Sequence, residues 1–426
     1  MYQIPLNWTW IKLGDIADFI AGVSYSPDDV TTKGIRILRG GNIQNGVILQ
    51  KADDVFLPMS YANSENCIHK YDTIIVSSTG SVEALAKAAT CFEDMPNTQI
   101  GAFLRIIRPK EKQYAMFVSA WCTSQHFRNY LISQAKGTSI NNIRTDFLTN
   151  FAIPIPTKNK VEEISNLYLS IEKKLLLNRQ INQNLEALAR QLYDYWFVQF
   201  DFPDENGKPY KSSGGEMVYD EILKREIPKG WEVKTLKSLC KFSNGINYDK
   251  TIQGNKQYRI VNVRNISSSS ILINSQTLDV ISLPAKQADN YLIEEDCILI
   301  ARSGTPGATR IINKTDNCIY CGFIIKCLPN NTDQRLYLTF ILKRYEGTSL
   351  TQTGGSILKN VSQETLKTIH ICIPPKNIIE NFNDITMSMI TIIQGNMDQS
   401  NALIKQRNEL LPLLMNGQVN FDLLAW

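Results

Sequence analysis

Two textures alternate along this chain. In the first, short apolar runs are bounded by glycine, proline and polar turns. Residues 73–76, 103–107, 297–301 and 322–328 are such runs, and their length and β-branched content predict strands. Among them, residues 13–19 and 236–242 read as short helices that end near a glycine, and 114–134 and 334–344 as longer helices with inward-facing aromatics. In the second texture, residues 160–197 and 376–415 are long and periodic, interrupted only by Gly395 and Pro412. Ile164, Tyr168, Ile171, Leu175, Leu185, Leu192 and Trp196 fall on one seam of period 3.5, which Asn178 and Asn182 complete. Phe382, Ile385, Met389, Ile392, Leu403 and Leu410 form the second seam, interrupted by Asn396 and Gln399. Such helices far exceed the usual length of about 11–12 residues. An apolar seam that long must bury itself against a partner helix, and the simplest partner is the other copy, running antiparallel.

The order of these textures is a repeat. Pro5, Trp8, Leu13, Phe19, Gly22 and Tyr25, preceded by Ile4, recur without a gap as Ile227-Pro228, Trp231, Leu236, Phe242, Gly245 and Tyr248. Arg36 and Asn42 return as Arg259 and Asn265. Asp72-Thr73-Ile74-Ile75 running to Gly80 returns as Asp296-Cys297-Ile298-Leu299 running to Gly304, which sets Arg302 opposite Ser78. Gly137, Asn142-Ile143, Leu148 and Ile153 match Gly355, Asn360-Val361, Leu366 and Ile371, and both units close in a strand ending in proline. Asn178 and Asn396 are equivalent in this repeat. Five blocks in one order exclude chance. The pattern predicts an α+β (mixed) fold: two similar α/β domains joined by two long helices in an antiparallel coiled coil, with a pseudo-twofold internal repeat. The expected segments are a first domain at 1–158, a helix at 159–199, an exposed connector at 200–226, a second domain at 227–375, a helix at 376–416 and a tail at 417–426.

Composition narrows the function. No stretch approaches 18 consecutive apolar residues, and the opening MYQIPLNWTWIK lacks the basic-then-apolar order of a secretory signal, so a cytoplasmic protein away from the membrane is expected. The net charge is +4, and residues 201–226 hold seven acidic and four basic residues, leaving the rest near +7. That balance leans towards an anionic partner. Nine scattered cysteines suit buried thiols better than a disulfide framework. Cys318-Ile319-Tyr320-Cys321 has a zinc-like spacing, but no second such pair exists and the chain holds three histidines, so two strand cysteines on a core face are the preferred reading and no metal is expected. The only Pro-Pro, Pro374-Pro375, lacks the flanking residues of a methyltransferase loop, and no GxxxxGK[ST] motor motif is present. Pro203-Asp204-Glu205 with Lys208 reads as a turn rather than a nuclease motif. No catalytic residue is assigned.

Several stretches carry a family resemblance. They are Asn178-Arg179-Gln180-Ile181-Asn182, Leu192-Tyr193-Asp194-Tyr195-Trp196-Phe197, Pro209-Tyr210-Lys211-Ser212-Ser213-Gly214-Gly215, Ile227-Pro228-Lys229-Gly230-Trp231 and 407–417. In this order they resemble the specificity (S) subunits of Type I restriction–modification enzymes over the whole chain. The resemblance implies a non-catalytic subunit whose two target-recognition domains read the halves of a split, asymmetric site in double-stranded DNA. It implies that the helices set the gap and dock two modification (methyltransferase) subunits, with restriction/translocase subunits joining. S-adenosylmethionine, ATP and Mg2+ would then belong to those partners, and this chain would bind no cofactor. A recognition module for a stand-alone adenine methyltransferase and a repeat-built protein scaffold stay open as alternatives.

The repeat also sorts candidate DNA contacts. Residues shared by both copies (Arg36 and Arg259, Asn42 and Asn265, Asn142 and Asn360) suit framework or DNA-backbone contacts. Residues that differ can read different bases. Arg39, Arg264 and Arg302 could each reach a guanine bidentately, or could be solvated surface charges. Ser78 and Ser303 lie in the loops before Gly80 and Gly304, which are read as tight turns or as backbone approaching a phosphate. Lys136, Asn141, Arg144 and Lys359 lie in glycine-led polar loops. The expected helix-pairing residues are Ile164, Ile171, Leu175, Asn178, Leu185, Leu192, Phe382, Met389, Asn396, Leu403 and Leu410.

Overall fold

A computed structural model describes residues 5–135 apart from 45 and 52, then 142–248, 254–347 and 361–418. The chain divides into two compact units, of which only the second is continuous in sequence. The first gathers the residues up to 176 with those from 402 on, and the second holds 177–401.

Within the first unit, three sheets place the loops. Thr9–Lys12 pairs antiparallel with Ala152–Ile155, closing the domain's two ends on each other. A four-stranded sheet runs Ala17–Ala21, Leu104–Pro109, Thr73–Val76, Ala88–Thr90, antiparallel throughout. A second has the order Val55–Leu57, Ile35–Leu38, Met95–Ile100, Cys67–Ile68, with its inner pair parallel. The second unit repeats this layout. Glu232–Thr235 pairs with His370–Ile373; Cys240–Asn244, Ile324–Pro329, Ile298–Ala301 and Thr309–Ile311 form the antiparallel sheet; Asp279–Leu283, Lys256–Val261 and Cys318–Tyr320 form the mixed one. The fourth strand of the mixed sheet is reduced there to an isolated bridge between Leu292 and Ile319.

One glycine in each copy explains why it recurs. A Cβ on Gly22 would lie 2.1 Å from the carbonyl oxygen of Gly101, and one on Gly245 would lie 2.2 Å from that of Cys321. Backbone meets backbone at that point, joining the two sheets of each unit, and only hydrogen fits.

Three local expectations need correction. Residues 13–19 and 236–242 are not helices throughout. Each makes one turn (Leu13–Ile16, Leu236–Leu239) and then becomes a sheet strand (Ala17–Ala21, Cys240–Asn244), because pairing with a neighbouring strand outweighs weak helix propensity. Residues 114–134 form two helices, Ala115–Cys122 and Gln125–Ala135. At the break, the Thr123 hydroxyl joins its own amide on the Ser119 carbonyl (2.9 Å), and the Ser124 hydroxyl accepts from the Phe127 amide (3.2 Å), starting the next helix. The connector is not exposed at its start: Phe200, Asp201 and Phe202 are buried. Phe200 and Phe202 pack on Trp231, and the Asp201 carboxylate accepts from the Ser212 amide and hydroxyl at 2.8 and 2.7 Å. Asp204 does make the expected turn, accepting from the amides of Asn206 and Lys208.

The long helices span Lys158–Tyr193 and Lys376–Met415, the first continuing into a π-helical turn at Asp194–Val198. Inside the second unit they pair antiparallel. Tyr193 and Trp196 pack on Phe382, the Asn182 side chain accepts from the Asn396 side-chain Nδ2 at 2.8 Å, and Asn178 donates to Gln399 at 3.0 Å and lies 3.2 Å from the Ser400 hydroxyl. Leu185, Leu192 and Met389 flank this core, half-buried. In the first unit, Ile164 and Tyr168 share a core with Leu411, Leu414 and Met415, with Leu410 against it, and Arg407 pairs with Glu172 at 2.6 Å. Ile171 and Leu175 are buried and Leu403 half-buried. The second seam is displaced from its 3.5-residue reading. Ile385 and Ile392 are 40% and 49% exposed, while Thr386, Ile390 and Ile393 face inward. A helix of 3.6 residues per turn drifts off a strict heptad, and the buried face follows it.

Each unit thus completes its core with helix from the other half of the sequence. Ending the chain at residue 401 removes Leu411, Leu414 and Met415 from the first core. At about 1.5–3 kcal/mol per buried side chain, the loss is about 5 kcal/mol or more, comparable with the stability of a whole domain. Calorimetry of this truncation is expected to show the first unit's unfolding transition lowered or lost.

Candidate nucleic-acid interface

In each unit, three strands end side by side and hand over to loops. In the first unit they are Ile35–Leu38, Thr73–Val76 and Met95–Ile100. Main-chain bonds tie the exits together. The Gly101 amide donates to the Leu38 carbonyl (2.9 Å), the Ser77 amide to the Phe103 carbonyl (2.9 Å), and the Ile143 amide to the Ser77 carbonyl (2.7 Å). The second unit repeats the ladder at the ends of Lys256–Val261, Ile298–Ala301 and Cys318–Tyr320. Cys321 donates to Val261 (3.0 Å), Arg302 to Phe323 (2.8 Å) and Val361 to Arg302 (2.9 Å). This corrects the alignment of the copies by one residue: Arg302 stands where Ser77 does, not Ser78. In a strand, one residue of slip moves a side chain to the opposite face, so the correction matters.

The turn after the first strand is built alike in both copies. The side-chain oxygen of buried Asn42 accepts from the Arg39 amide, and that of Asn265 accepts from the Asn262 amide, each at 2.8 Å. Asn42 also donates to Asp54 (2.6 Å), and Arg36 reaches the same carboxylate through Nε (2.8 Å) and Nη2 (2.7 Å). Burial would raise the Asp54 pKa, but the Lys51 amide, Asn42 and Arg36 outweigh it and hold it below the usual carboxylate value. Arg36, Asn42 and Asn265 therefore hold the turns in place. Arg259, the repeat partner of Arg36, is exposed instead.

Arg39 and Arg264 project from these turns. Each meets an exposed carboxylate, Arg39 with Asp53 at 2.8 Å and Arg264 with Asp279. An exposed pair of this kind contributes about 0–1 kcal/mol, so exchanging the carboxylate for a phosphate or a base edge costs little. Arg39, Gly41, Asn42, Lys51 and Asp53 line an open cleft of about 280 Å³. Lys51 was missed in the sequence because it lies in an ordinary polar stretch. The fold brings its amine to the turn, 3.2 Å from where a Cβ on Gly41 would stand.

The next exit carries Ser78, whose amide donates to Phe103 (3.1 Å), and the exposed Asn142 bridged to it. In the second unit, Arg302 Nη1 donates to the Gly322 carbonyl (3.2 Å), with half-buried Ser303 beside it. Gly304 has φ +76°, a turn that favours glycine, whereas Gly80 is not among the positive-φ glycines. Arg144 is exposed and paired with its near neighbour Asp146 at 2.9 Å, at the start of a short helix. Lys136, Asn141, Lys359 and Asn360 lie outside the described residues. Cys318 and Cys321 are buried, as are all nine cysteines. Among the described residues no helix is long and apolar enough to cross a membrane. The arrangement presents arginine, lysine, serine and asparagine side chains around clamped strand ends, a donor-rich surface suited to phosphates and base edges.

Comparison with known proteins agrees. The family model described as the Type I restriction modification DNA specificity domain matches residues 5–187 and again 228–413. The chain is 23% identical over 433 residues to the Type I restriction enzyme MjaIX specificity subunit of Methanocaldococcus jannaschii, covering 99% of this chain and 95% of that one. It is 24% identical to the StySPI specificity subunit of Salmonella potsdam, covering 88% and 80% respectively. Its fold is similar to that of the Type-I restriction-modification system S subunit from M. genitalium, with a TM-score of 0.52, 15% identity and 96% of each chain covered.

Removing the Asp54 carboxylate leaves Arg36 without its charge partner and leaves Arg36 and Asn42 donating only to the Leu49 carbonyl. Asp54→Ala is expected to destabilise the first unit by about 3 kcal/mol, the scale for breaking a largely buried pair. Because the folded pKa lies below the unfolded one, the wild-type carboxylate stabilises the fold above its unfolded pKa and loses that effect as pH falls through the folded value. Melting curves across the acid range should therefore show wild type and variant converging at low pH.

Proposed function

The chain belongs to the Type I restriction–modification DNA specificity family, and from that premise we propose that it reads a split, asymmetric site in double-stranded DNA, one half-site per unit. It is a specificity subunit, concerned with DNA target recognition. The observation that carries the two-part reading is the ladder of strand ends, built by the same main-chain bonds in both units but furnished differently: Arg39, Lys51 and Ser78 in one, Arg264, Arg302 and Ser303 in the other. Equal scaffolds with unequal polar side chains are what two different half-sites require.

In this reading the chain performs no chemistry. The long helices dock two modification subunits, restriction/translocase subunits join them, and S-adenosylmethionine, ATP and Mg2+ are held by those partners in the cytoplasm. A helix advances about 1.5 Å per residue, so helix length translates into spacing along the duplex.

Two outcomes test this. The full chain, produced with its modification subunit, should bind duplex DNA with a preferred sequence. Each phosphate contact should steepen the fall of log affinity with log salt by about 0.9; flat salt dependence without sequence preference would favour a protein scaffold. Inserting or deleting a few residues within 165–192 should change the gap between the half-sites and leave both half-site sequences as they were. Methylome sequencing of cells carrying such a variant reads this directly, and an unaltered gap would refute the proposal.

A further inference from the structure

Among the large apolar side chains, two stand out by position. Phe103 is 67% exposed and Phe323 is 62% exposed, and neither belongs to a core. A single exposed aromatic needs no explanation. These two occupy the same place in both copies. Each follows the residue whose amide closes the ladder (Gly101, Cys321) by two positions, and each gives its carbonyl to the strand exit opposite, Ser77 or Arg302. Phe103 accepts from the amides of Ser77 and Ser78 and from the Ser77 hydroxyl (3.0 Å). The backbone is thus clamped while the ring is left in water, among the residues assigned above to DNA.

We propose that Phe103 and Phe323 are matched apolar contacts to DNA base pairs, each serving the half-site read by its own unit; this rests on the DNA-recognition reading. The repeat supplies the argument. Side chains shared by both copies serve folding, phosphate contact or something common to both half-sites. An exposed phenyl ring contributes little to folding and cannot neutralise a phosphate. What remains is apolar surface on the base pairs, a thymine methyl in the major groove or the face of a base at an opened step. The polar neighbours differ between copies, whereas the ring recurs because an apolar contact to a base serves either half-site. Clamping its backbone leaves only two side-chain torsions to order on binding.

The test uses the full chain, produced with its modification subunit, and a randomised pool of duplexes from which the bound fraction is sequenced. Phe103→Ala should keep the wild-type melting temperature and co-purify with the modification subunit. Its affinity for the selected site should fall about tenfold or more, the scale for leaving a phenyl ring unburied. The salt slope should stay unchanged, and the selected motif should weaken in one half only. Phe323→Ala should weaken the other half, and Phe103→Leu, which keeps apolar bulk, should retain most of the affinity. Unchanged motif and affinity in both alanine variants, loss spread equally over both halves, or loss of the modification subunit instead of DNA would overturn the proposal while leaving DNA recognition standing. A wild-type chain that selects no motif would overturn DNA recognition itself, and this proposal with it.

Discussion

Neither copy of the repeat completes its core from its own residues, and the rest of the structure depends on that constraint. The first core needs Leu411, Leu414 and Met415 from the end of the second long helix; the second needs Ala189, Tyr193, Trp196 and Phe197 from the end of the first. Each domain is therefore finished by helix that begins in the other copy of the repeat. Folding and helix pairing become one event, and the polar contacts at Asn178, Asn182 and Asn396 lie on the same surface that completes the second unit. An asparagine there costs stability relative to leucine but admits one register.

The strand-end platform shows how one scaffold can carry two different sets of polar side chains. Its geometry is carried by main-chain bonds and by two buried asparagines that cap the first turn, none of which depends on the exposed side chains around them. Arg36 illustrates the division. Locked to Asp54, it is part of the scaffold, while Arg39, three residues on, bonds the exposed carboxylate and the main-chain carbonyl of Asp53. Gly22 and Gly245 complete the scaffold by letting one sheet's backbone touch the other's.

Much of this was legible in the residues. The repeat announced two like domains, the periodic stretches announced paired helices, and the shared asparagines at 42 and 265 left framework and DNA-backbone contact both open. Those signals are strong because they are local or repeated: period, spacing and identity survive without knowledge of contacts. The same logic explains the errors. Residues 13–19 carry a helix-like pattern that pairing with Leu104–Pro109 overrides, and the one-residue shift between Arg302 and Ser77 follows strand pairing, which no gapless alignment contains.

The sequence by itself determined the class of fold, its duplication, the two long helices and the residue types available to meet DNA. Tertiary structure alone decided which arginine is scaffold and which is exposed, that Lys51 joins Arg39 at one cleft, that Ile385 and Ile392 face outward, and that two phenylalanines stand in water at matching strand ends. The physical reason is that charge pairing and exposure are properties of neighbours in space. Arg36 and Arg259 are the same residue in the same repeat position, and an aspartate 2.7 Å away makes one of them structural and leaves the other exposed.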